Sequence, residues 1–433
     1  MNYKEAEKFL LGLIDFEKIT DFKYDFDLDS FREFLSHIGS PQNQIRNPIL
    51  IAGTKGKGST ASFLASALTR NGYTAGLYTS PHLINLRERI RVDGRPIKKA
   101  EFARILDEIR PFIEKRHFRT FFEVLTTVAF LYFIEKKVDF SILEVGMGGR
   151  LDATNVCDPL LSIITSISYD HTEILGDTLQ KITREKAGII RENGFVISAP
   201  QEKEVKRVLE AICEQKGSKL LWVNKNEAKR ISKSKKGQTF EIEGFRFRIP
   251  LLGMHEIENG AVAYHALKML GEKGFRLDMD RVREGFRSVK WRGRLDIIGR
   301  NPYFVLDGAH NVESCEALQR AIEDYFKYNR LILILGISSG KDVKGIIDTL
   351  APLADIIIFT RADAPRAIRP EILRKEYRGT KRFYLAKDVR SAQKMAKRMA
   401  KSDDLILATG SLYLVGEVLG TMRTARQRLG DRL

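Results

Sequence analysis

The densest chemical signal in the chain is Gly53-Thr54-Lys55-Gly56-Lys57-Gly58-Ser59. It follows an apolar strand pattern, PILIA, and precedes a strongly patterned helix. A strand–glycine loop–helix junction is what a phosphate cradle requires. Glycines let backbone N–H groups approach the phosphates, the helix N-terminus adds positive potential, and Lys57 supplies a full charge. The spacing is a variant: the common phosphate loop has four residues between its first glycine and the Gly-Lys pair, whereas two stand here, and a glycine separates Lys57 from Ser59. A tight turn with an exposed lysine is the blander reading; the strand before and the helix after favour the cradle.

Further residues have side chains suited to chemistry. Glu144 ends the apolar run FSILE, and open α/β sheets present ligands at such strand tips. A carboxylate there can hold Mg2+ against phosphates. The glycine-rich run that follows, Gly146-Met147-Gly148-Gly149, argues for close backbone approach to a ligand. Ser80 ends another strand pattern, where its hydroxyl serves a turn more readily than a metal. His171 follows LSIITSI and the pair Tyr169-Asp170; taken alone it is as readily a satisfied polar residue as a ligand. Lys186 lies in the helical pattern TLQKITREKAGII beside Ala187, Ile189 and Ile190, a setting in which lysines usually snorkel.

The elements that must position these residues alternate along the chain. PILIAG (48–53), GLYTS (76–80), FSILEVG (140–146), LSIITSI (161–167) and GFVISA (194–199) read as strands, with helices such as STASFLASALTRNG and FEVLTTVAFLYFIEKK between them. Continuously apolar short strands separated by helices predict a parallel sheet covered on both faces. Between 218 and 251 the pattern changes. KLLWV and GQTFEIEGFRFRIPL predict short antiparallel strands with a turn at Glu243-Gly244. A helix from about Glu256 to Leu270 follows. A second α/β series then begins, with strands in YFVLDGAHN (303–311), LILILGI (331–337), ADIIIFT (354–360) and DLILATG (404–410), which places a domain boundary near Trp291–Leu295.

Composition excludes several classes. With 433 residues, 43% hydrophobic and 30% charged, the chain reads as a globular protein of two domains. Cys157, Cys213 and Cys315 form no CxxC pair, which argues against a disulfide framework or structural zinc and fits a reducing compartment. The N-terminus carries acids and lysines where a signal peptide needs an apolar core. The greasiest window, VLTTVAFLYFI, stops at Glu135-Lys136-Lys137, short of a membrane span. The net charge of +17 is spread along the chain, the pattern of a solvated basic surface rather than a nucleic-acid arm.

The phosphate loop resembles the signature of the Mur ligase superfamily, and more narrowly that of folylpolyglutamate and dihydrofolate synthases. Thr79-Ser80-Pro81-His82-Leu83 and Arg87-Glu88-Arg89-Ile90 resemble that family's Ser-Pro-His-Leu and Glu-Arg-Ile segments. Leu143-Glu144-Val145-Gly146-Met147-Gly148-Gly149-Arg150-Leu151-Asp152-Ala153-Thr154-Asn155 is similar to its longest motif. Asp170-His171, Glu185-Lys186-Ala187-Gly188-Ile189, His255, Asn259, Gly293-Arg294, Asp307-Gly308-Ala309-His310-Asn311 and Thr409-Gly410-Ser411-Leu412-Tyr413 follow in the expected order. The likeness runs from Leu35 to Val418. The family loop carries asparagine where this chain has Lys55, and the first thirty or so residues match less well.

The resemblance implies an α/β fold: an N-terminal P-loop-type domain on a mostly parallel sheet (1–292) with folate-binding elements, and a smaller C-terminal Rossmann-like glutamate-ligase domain (293–433). It implies an ADP-forming amide ligase that adds L-glutamate to a folate-type carboxylate through an acyl phosphate. The acceptor would be tetrahydrofolate, dihydropteroate or both. Gly53, Thr54, Gly56, Lys57, Gly58 and Ser59 would cradle ATP, joined by Asn259, Arg294, Asp307 and His310. Ser80, Glu144, His171 and Lys186 would hold Mg2+, with Lys57, Lys186 and His171 as the catalytic set. In relatives the lysine matching Lys186 is carbamylated by CO2, so a carbamate is expected here; a monovalent cation is an optional further cofactor. The expected partners are small-molecule substrates, with no nucleic acid and no membrane, for a cytoplasmic monomer. The competing readings are another Mur-type ligase and a nucleic-acid-dependent ATPase. The ATPase would want an apolar strand ending in aspartate and a nucleic-acid module, and neither is evident.

Overall fold

The computed structural model describes residues 1–15, 27–115 and 119–430. Residues 16–26, in the N-terminal stretch where the resemblance is weakest, lie outside them. The first sheet contains β1 (Pro48–Ala52), β2 (Ala75–Tyr78), β3 (Ile90–Val92), β4 (Arg95–Pro96), β5 (Phe140–Glu144), β6 (Leu161–Ile164), β7 (Phe195–Ser198) and β8 (Lys219–Trp222), in the order β4-β3-β2-β5-β1-β6-β7-β8. All pairings are parallel except those of β3 with β2 and of β4 with β3. The side-chain period of two explains why the strands read as unbroken apolar runs. Leu50, Leu143 and Ile164 face a core built on the helix Phe121–Glu135, whereas Ile49, Ile51, Ile142 and Ile163 face the helices Lys57–Arg70 and Met254–Glu272. The greasy window at 124–134 is thus a core helix. Among the described residues no helix is long and apolar enough to cross a membrane.

A small antiparallel sheet follows, β9 (Lys229–Ser234), β10 (Gly237–Ile242) and β11 (Phe245–Ile249). The β10–β11 turn falls at Glu243 and Gly244, both at positive φ. One expectation fails here. KLLWV does not join this sheet; as β8 it pairs parallel with β7 and closes the edge of the large sheet. As an edge strand it is only partly buried and begins with an exposed lysine, which explains the misleading pattern. The third strand of the small sheet is instead KRISKS, whose exposed, basic side chains conceal it.

The second sheet is β12 (Asp296–Arg300), β13 (Tyr303–Leu306), β14 (Leu331–Leu335), β15 (Ile356–Phe359), β16 (Arg382–Leu385) and β17 (Leu405–Thr409), ordered β12-β13-β17-β14-β15-β16. Only β12 runs antiparallel. Its faces also alternate: Val305, Leu333 and Leu407 bury on one side, Leu306, Ile334 and Ile406 on the other. The two α/β units meet along several contacts. Arg230 and Lys233 of β9 pair with Asp324, and the Tyr325 hydroxyl donates to Gln238 Oε1 at 2.6 Å.

Candidate active site

The C-terminal tips of β1, β2, β5 and β6 open, together with that of β13, into one cavity of about 780 Å3. β1 lies between β5 and β6, the place where an open α/β sheet reverses its winding and leaves a crevice. Of the residues expected to act there, Thr54, Gly56, Lys57, Gly58, Ser59, Ser80, Glu144, His171, Asn259, Arg294, Asp307 and His310 line the cavity. Gly53 and Lys186 stand behind its wall.

The loop after β1 is built for close approach. Gly56 has φ +83, and a Cβ there would lie 2.1 Å from Asn259 Oδ1. At Gly58 a Cβ would lie 2.4 Å from the Trp291 ring and 3.3 Å from Glu144 Oε2. The Thr54 and Lys55 amides donate to the Ser166 carbonyl at 2.7 and 3.3 Å, and Thr54 Oγ1 donates to Ser168 O at 3.1 Å. Thr54 therefore anchors the loop to the segment after β6. The helix Lys57–Arg70 has no side-chain cap, so the amides of residues 56–59 are the orphan donors of its first turn. Lys57 Nζ folds back to Gly53 O at 3.1 Å, and Ser59 Oγ donates to Glu256 Oε1 at 2.9 Å.

Glu144 is 5% exposed and its Oε2 accepts the Ser80 N–H at 3.1 Å. Burial pushes its pKa up, opposed by Lys57, the Ser80 amide, Arg294 and Arg89. A buried carboxylate beside a serine gives hard oxygen donors for a divalent cation, and the uncapped helix end nearby suits the anion such a cation would accompany. His171 sits at φ +50 next to Asp170. Burial holds its pKa down to about 3, against the attraction of Asp170, so the imidazole is neutral and able to bind a cation. Burial would raise Asp170 too, but His171 and the Lys341 ammonium, 2.5 Å away, hold it well below the usual carboxylate range.

Lys186 is 4% exposed and donates from Nζ to Gly53 O at 3.0 Å. It does not snorkel. Burial, reinforced by Lys57, holds its pKa down to about 7 despite Asp170 and Asp152. Both amines, of Lys57 and Lys186, thus converge on the carbonyl that begins the loop.

The second unit closes the cavity. Arg294 Nη1 donates to Gly293 O at 3.2 Å. Both Asp307 oxygens accept backbone N–H groups, from Leu295 and Ala309 at 2.8 Å, so this carboxylate also pins the connection between the units. His310 Nδ1 lies 2.7 Å from Gly308 O, and burial with Lys341 nearby holds its pKa down to about 4.

Sequence reasoning missed several residues. Glu256 is 1% exposed and takes both the Ser59 hydroxyl and the Asn259 amide, the latter at 3.2 Å. Asp152 accepts the Gly146, Met147 and Thr154 amides, each at 3.0 Å, and so shapes the glycine turn behind Glu144. Lys341 reaches Asp170 from the loop after β14. The acid within a glycine-rich motif was a readable signal for Asp152. Nothing local marks Lys341. The motif pair around Ser80 and Glu88 proves architectural in part: Glu88 accepts the Leu83 and Asn85 amides at 3.1 Å, and Arg89 donates to His82 Nδ1 at 2.9 Å. Away from the cavity, Glu227, Glu243 and His265 cluster at metal-ligating distance, but Lys268 already neutralises Glu243 with two contacts of 2.8 Å.

An anion cradle and a buried carboxylate between two α/β units fit the class of nucleotide-dependent enzymes. Comparison with known proteins agrees. Residues 51–267 match the Mur ligase middle domain and residues 293–412 the Mur ligase glutamate ligase domain. The chain belongs to the Mur ligase family, in its folylpolyglutamate synthase/dihydrofolate synthase branch. It is 33% identical to the dihydrofolate synthase/folylpolyglutamate synthase of Bacillus subtilis, over 90% of this chain and 94% of that protein. It is also 33% identical to a probable bifunctional folylpolyglutamate synthase/dihydropteroate synthase of Haloferax volcanii, over 98% of this chain; it spans about half, 51%, of that relative's length. The Mycobacterium tuberculosis folylpolyglutamate synthase complexed with ADP superposes with a TM-score of 0.88 at 30% identity, covering 97% of this chain and 98% of that one. A bifunctional folylpolyglutamate synthase/dihydrofolate synthase with Mn, AMPPNP and L-glutamate bound gives 0.83 at 25% identity, covering 98% of both.

Proposed function

We propose that this protein is an ATP- and magnesium-dependent ligase that joins L-glutamate to a folate-type carboxylate. The observation that carries the reading is the uncapped helix start at residues 56–59, facing buried Glu144 across a cavity that Arg294 and His310 close from the second unit. The acceptor carboxylate attacks the γ-phosphorus of ATP, ADP leaves, and an acyl phosphate results. The amine of glutamate then attacks that carbonyl, and the tetrahedral adduct expels phosphate and loses a proton to give the amide. Such chemistry asks mainly for positioning and charge neutralisation.

The amides of residues 56–59 and Lys57 orient the phosphates, and Arg294 adds a guanidinium from the second unit. Asn259 packs under Gly56, and Asp307 and His310 border the nucleotide from the far wall. Ser80, Glu144 and His171 have the donor chemistry to hold Mg2+, which when bound neutralises phosphate charge. Lys186, with its lowered pKa, has the neutral amine that carbamate formation requires, and its carbamate would be a further oxygen ligand near His171. That role requires Nζ to leave Gly53 O. A monovalent cation is an optional addition to the same oxygens.

The partners on this reading are ATP, L-glutamate and a reduced folate or dihydropteroate, without nucleic acid. We also read the chain as a cytoplasmic monomer. Its three cysteines are buried thiols.

Phosphate release by the purified protein with ATP, Mg2+ and glutamate, measured separately with dihydropteroate and tetrahydrofolate, tests the reading. Release that depends on one acceptor and on glutamate is expected. Release that ignores both would refute it.

A further inference from the structure

Lys55 belongs to the phosphate loop, yet its side chain is spent elsewhere. Its Nζ lies 2.5 Å from Glu313 Oε2, and the two side chains are 22% and 47% exposed. Glu313 stands in the first turn of the helix Val312–Tyr325, which belongs to the second α/β unit. Both residues line the shared cavity. The pair therefore ties the loop to the opposite wall across the space a nucleotide would fill.

Resting on the nucleotide reading above, the geometry points to Lys55 as a second phosphate-binding cation, held in reserve by Glu313 and transferred to the nucleotide when it binds. Lys55 is flanked by Thr54, anchored to Ser166 and Ser168, and by Gly56, so its Cα is fixed at the lip of the cradle. Any phosphate seated on the amides of residues 56–59 then lies within a lysine's reach. A polyphosphate carries several negative charges and Glu313 carries one, so Coulomb attraction favours the exchange. Glu313 has a second place to rest, because an acidic side chain in a helix's first turn is stabilised by the helix dipole. Glu313 thus competes with the nucleotide for Lys55, and its charge weakens nucleotide binding.

This sets the signs of three variants. Lys55→Gln removes the reserve cation and loosens ADP. Glu313→Gln removes the competitor and tightens ADP by about two- to fivefold, the scale of a partly exposed ion pair. The double variant matches Lys55→Gln, because a competitor without its target has no effect. A pair that only braced the two units would give the opposite sign at Glu313, since breaking the brace from either side would loosen binding alike.

Calorimetric titration of the full-length protein with ADP and Mg2+ reads these constants, and the KM for ATP should follow while the KM for glutamate stays put. Tighter ADP binding by Glu313→Gln, abolished in the double variant, supports the inference. Unchanged or weaker binding by Glu313→Gln, or additive effects in the double variant, would overturn it while leaving the ligase reading standing. A wild-type protein that binds no ADP would sink the ligase reading, and this inference with it.

Discussion

Replacing Glu144 by glutamine separates the two demands on that side chain, which are to fill a buried site and to carry charge. Glu144 is 5% exposed, and its Oε2 accepts a 3.1 Å bond from the Ser80 amide. Glutamine keeps the shape and can keep that bond through its carbonyl oxygen. Burial raises the Glu144 pKa, so the folded state binds its proton more tightly than the unfolded chain does. The ionised side chain therefore costs stability as pH rises above the ordinary carboxylate range, and glutamine carries no such cost. An uncompensated buried polar group costs about 1–3 kcal/mol, and Lys57 and Arg294 offset part of it. The unliganded variant should melt at the wild-type temperature or up to about 4 °C above it. Catalysis should move the other way. Losing a full charge where cation and phosphates meet should lower kcat at least about a hundredfold, or about 2.7 kcal/mol of barrier. Phosphate release at saturating Mg2+ gives the rate, and melting curves with and without ADP and Mg2+ give the fold and the ligand response. Turnover within about fivefold of wild type would remove Glu144 from the site. A collapse of the unliganded melting point would show that the charge is structural.

Gly56→Ala should lower stability by about 1–3 kcal/mol and abolish ADP binding. Its backbone is at φ +83 and the new methyl would meet Asn259; Gly72→Ala, at φ +91 with no atom within 4 Å, is the control that should bind ADP normally. If Lys186 is carbamylated, activity should fall in CO2-stripped buffer and return with bicarbonate, and formate should partly rescue Lys186→Ala; activity indifferent to CO2 would reject the carbamate. Lys186 also has a pH signature. Its folded pKa of about 7 lies below its ordinary 10.5, so the unfolded chain binds the extra proton between those values and stability gains with rising pH across that window. Lys186→Met should lose that slope in pH-dependent melting. His310 acts in acid: its folded pKa of about 4 lies below 6.5, so its contribution is complete above pH 6.5 and lost as pH falls toward 4. His310→Gln should flatten the decline in melting temperature over that range.

The parts of the fold that the sequence disclosed are those whose signal is local. β1, β5, β14 and β17 are buried on both faces, so apolar residues dominate and the run announces itself. The edges were opaque for the same reason. KRISKS and RFYL each leave a face to solvent and carry lysines or arginines there, which is how natural edge strands resist pairing with other chains. β8 was seen as a strand but placed in the wrong sheet. Its pairing with β7 depends on the crossover helix Lys203–Gln215, and a four-residue strand contains nothing that selects its neighbour.

The site divides along a similar line. Its phosphate loop, Glu144 and the strand tips were legible because each is a short segment whose geometry is dictated by the residues beside it. What escaped notice were the charges that cross the cleft. Lys341 and Asp170 are 171 positions apart, and Lys55 finds Glu313 in the other α/β unit. Nothing in the sequence links the members of either pair, and Lys341 and Glu313 read as two more surface charges in a chain of net charge +17. The structure places part of that charge in the cleft rather than on the open surface. Lys55, Lys57, Lys186, Arg294 and Lys341 converge on one cavity or the wall behind it, among lining carboxylates that include Glu144, Asp170, Glu256, Asp307 and Glu313. The lining thus sets cations suited to a polyphosphate beside carboxylates suited to its divalent cation, so one cavity offers partners to both.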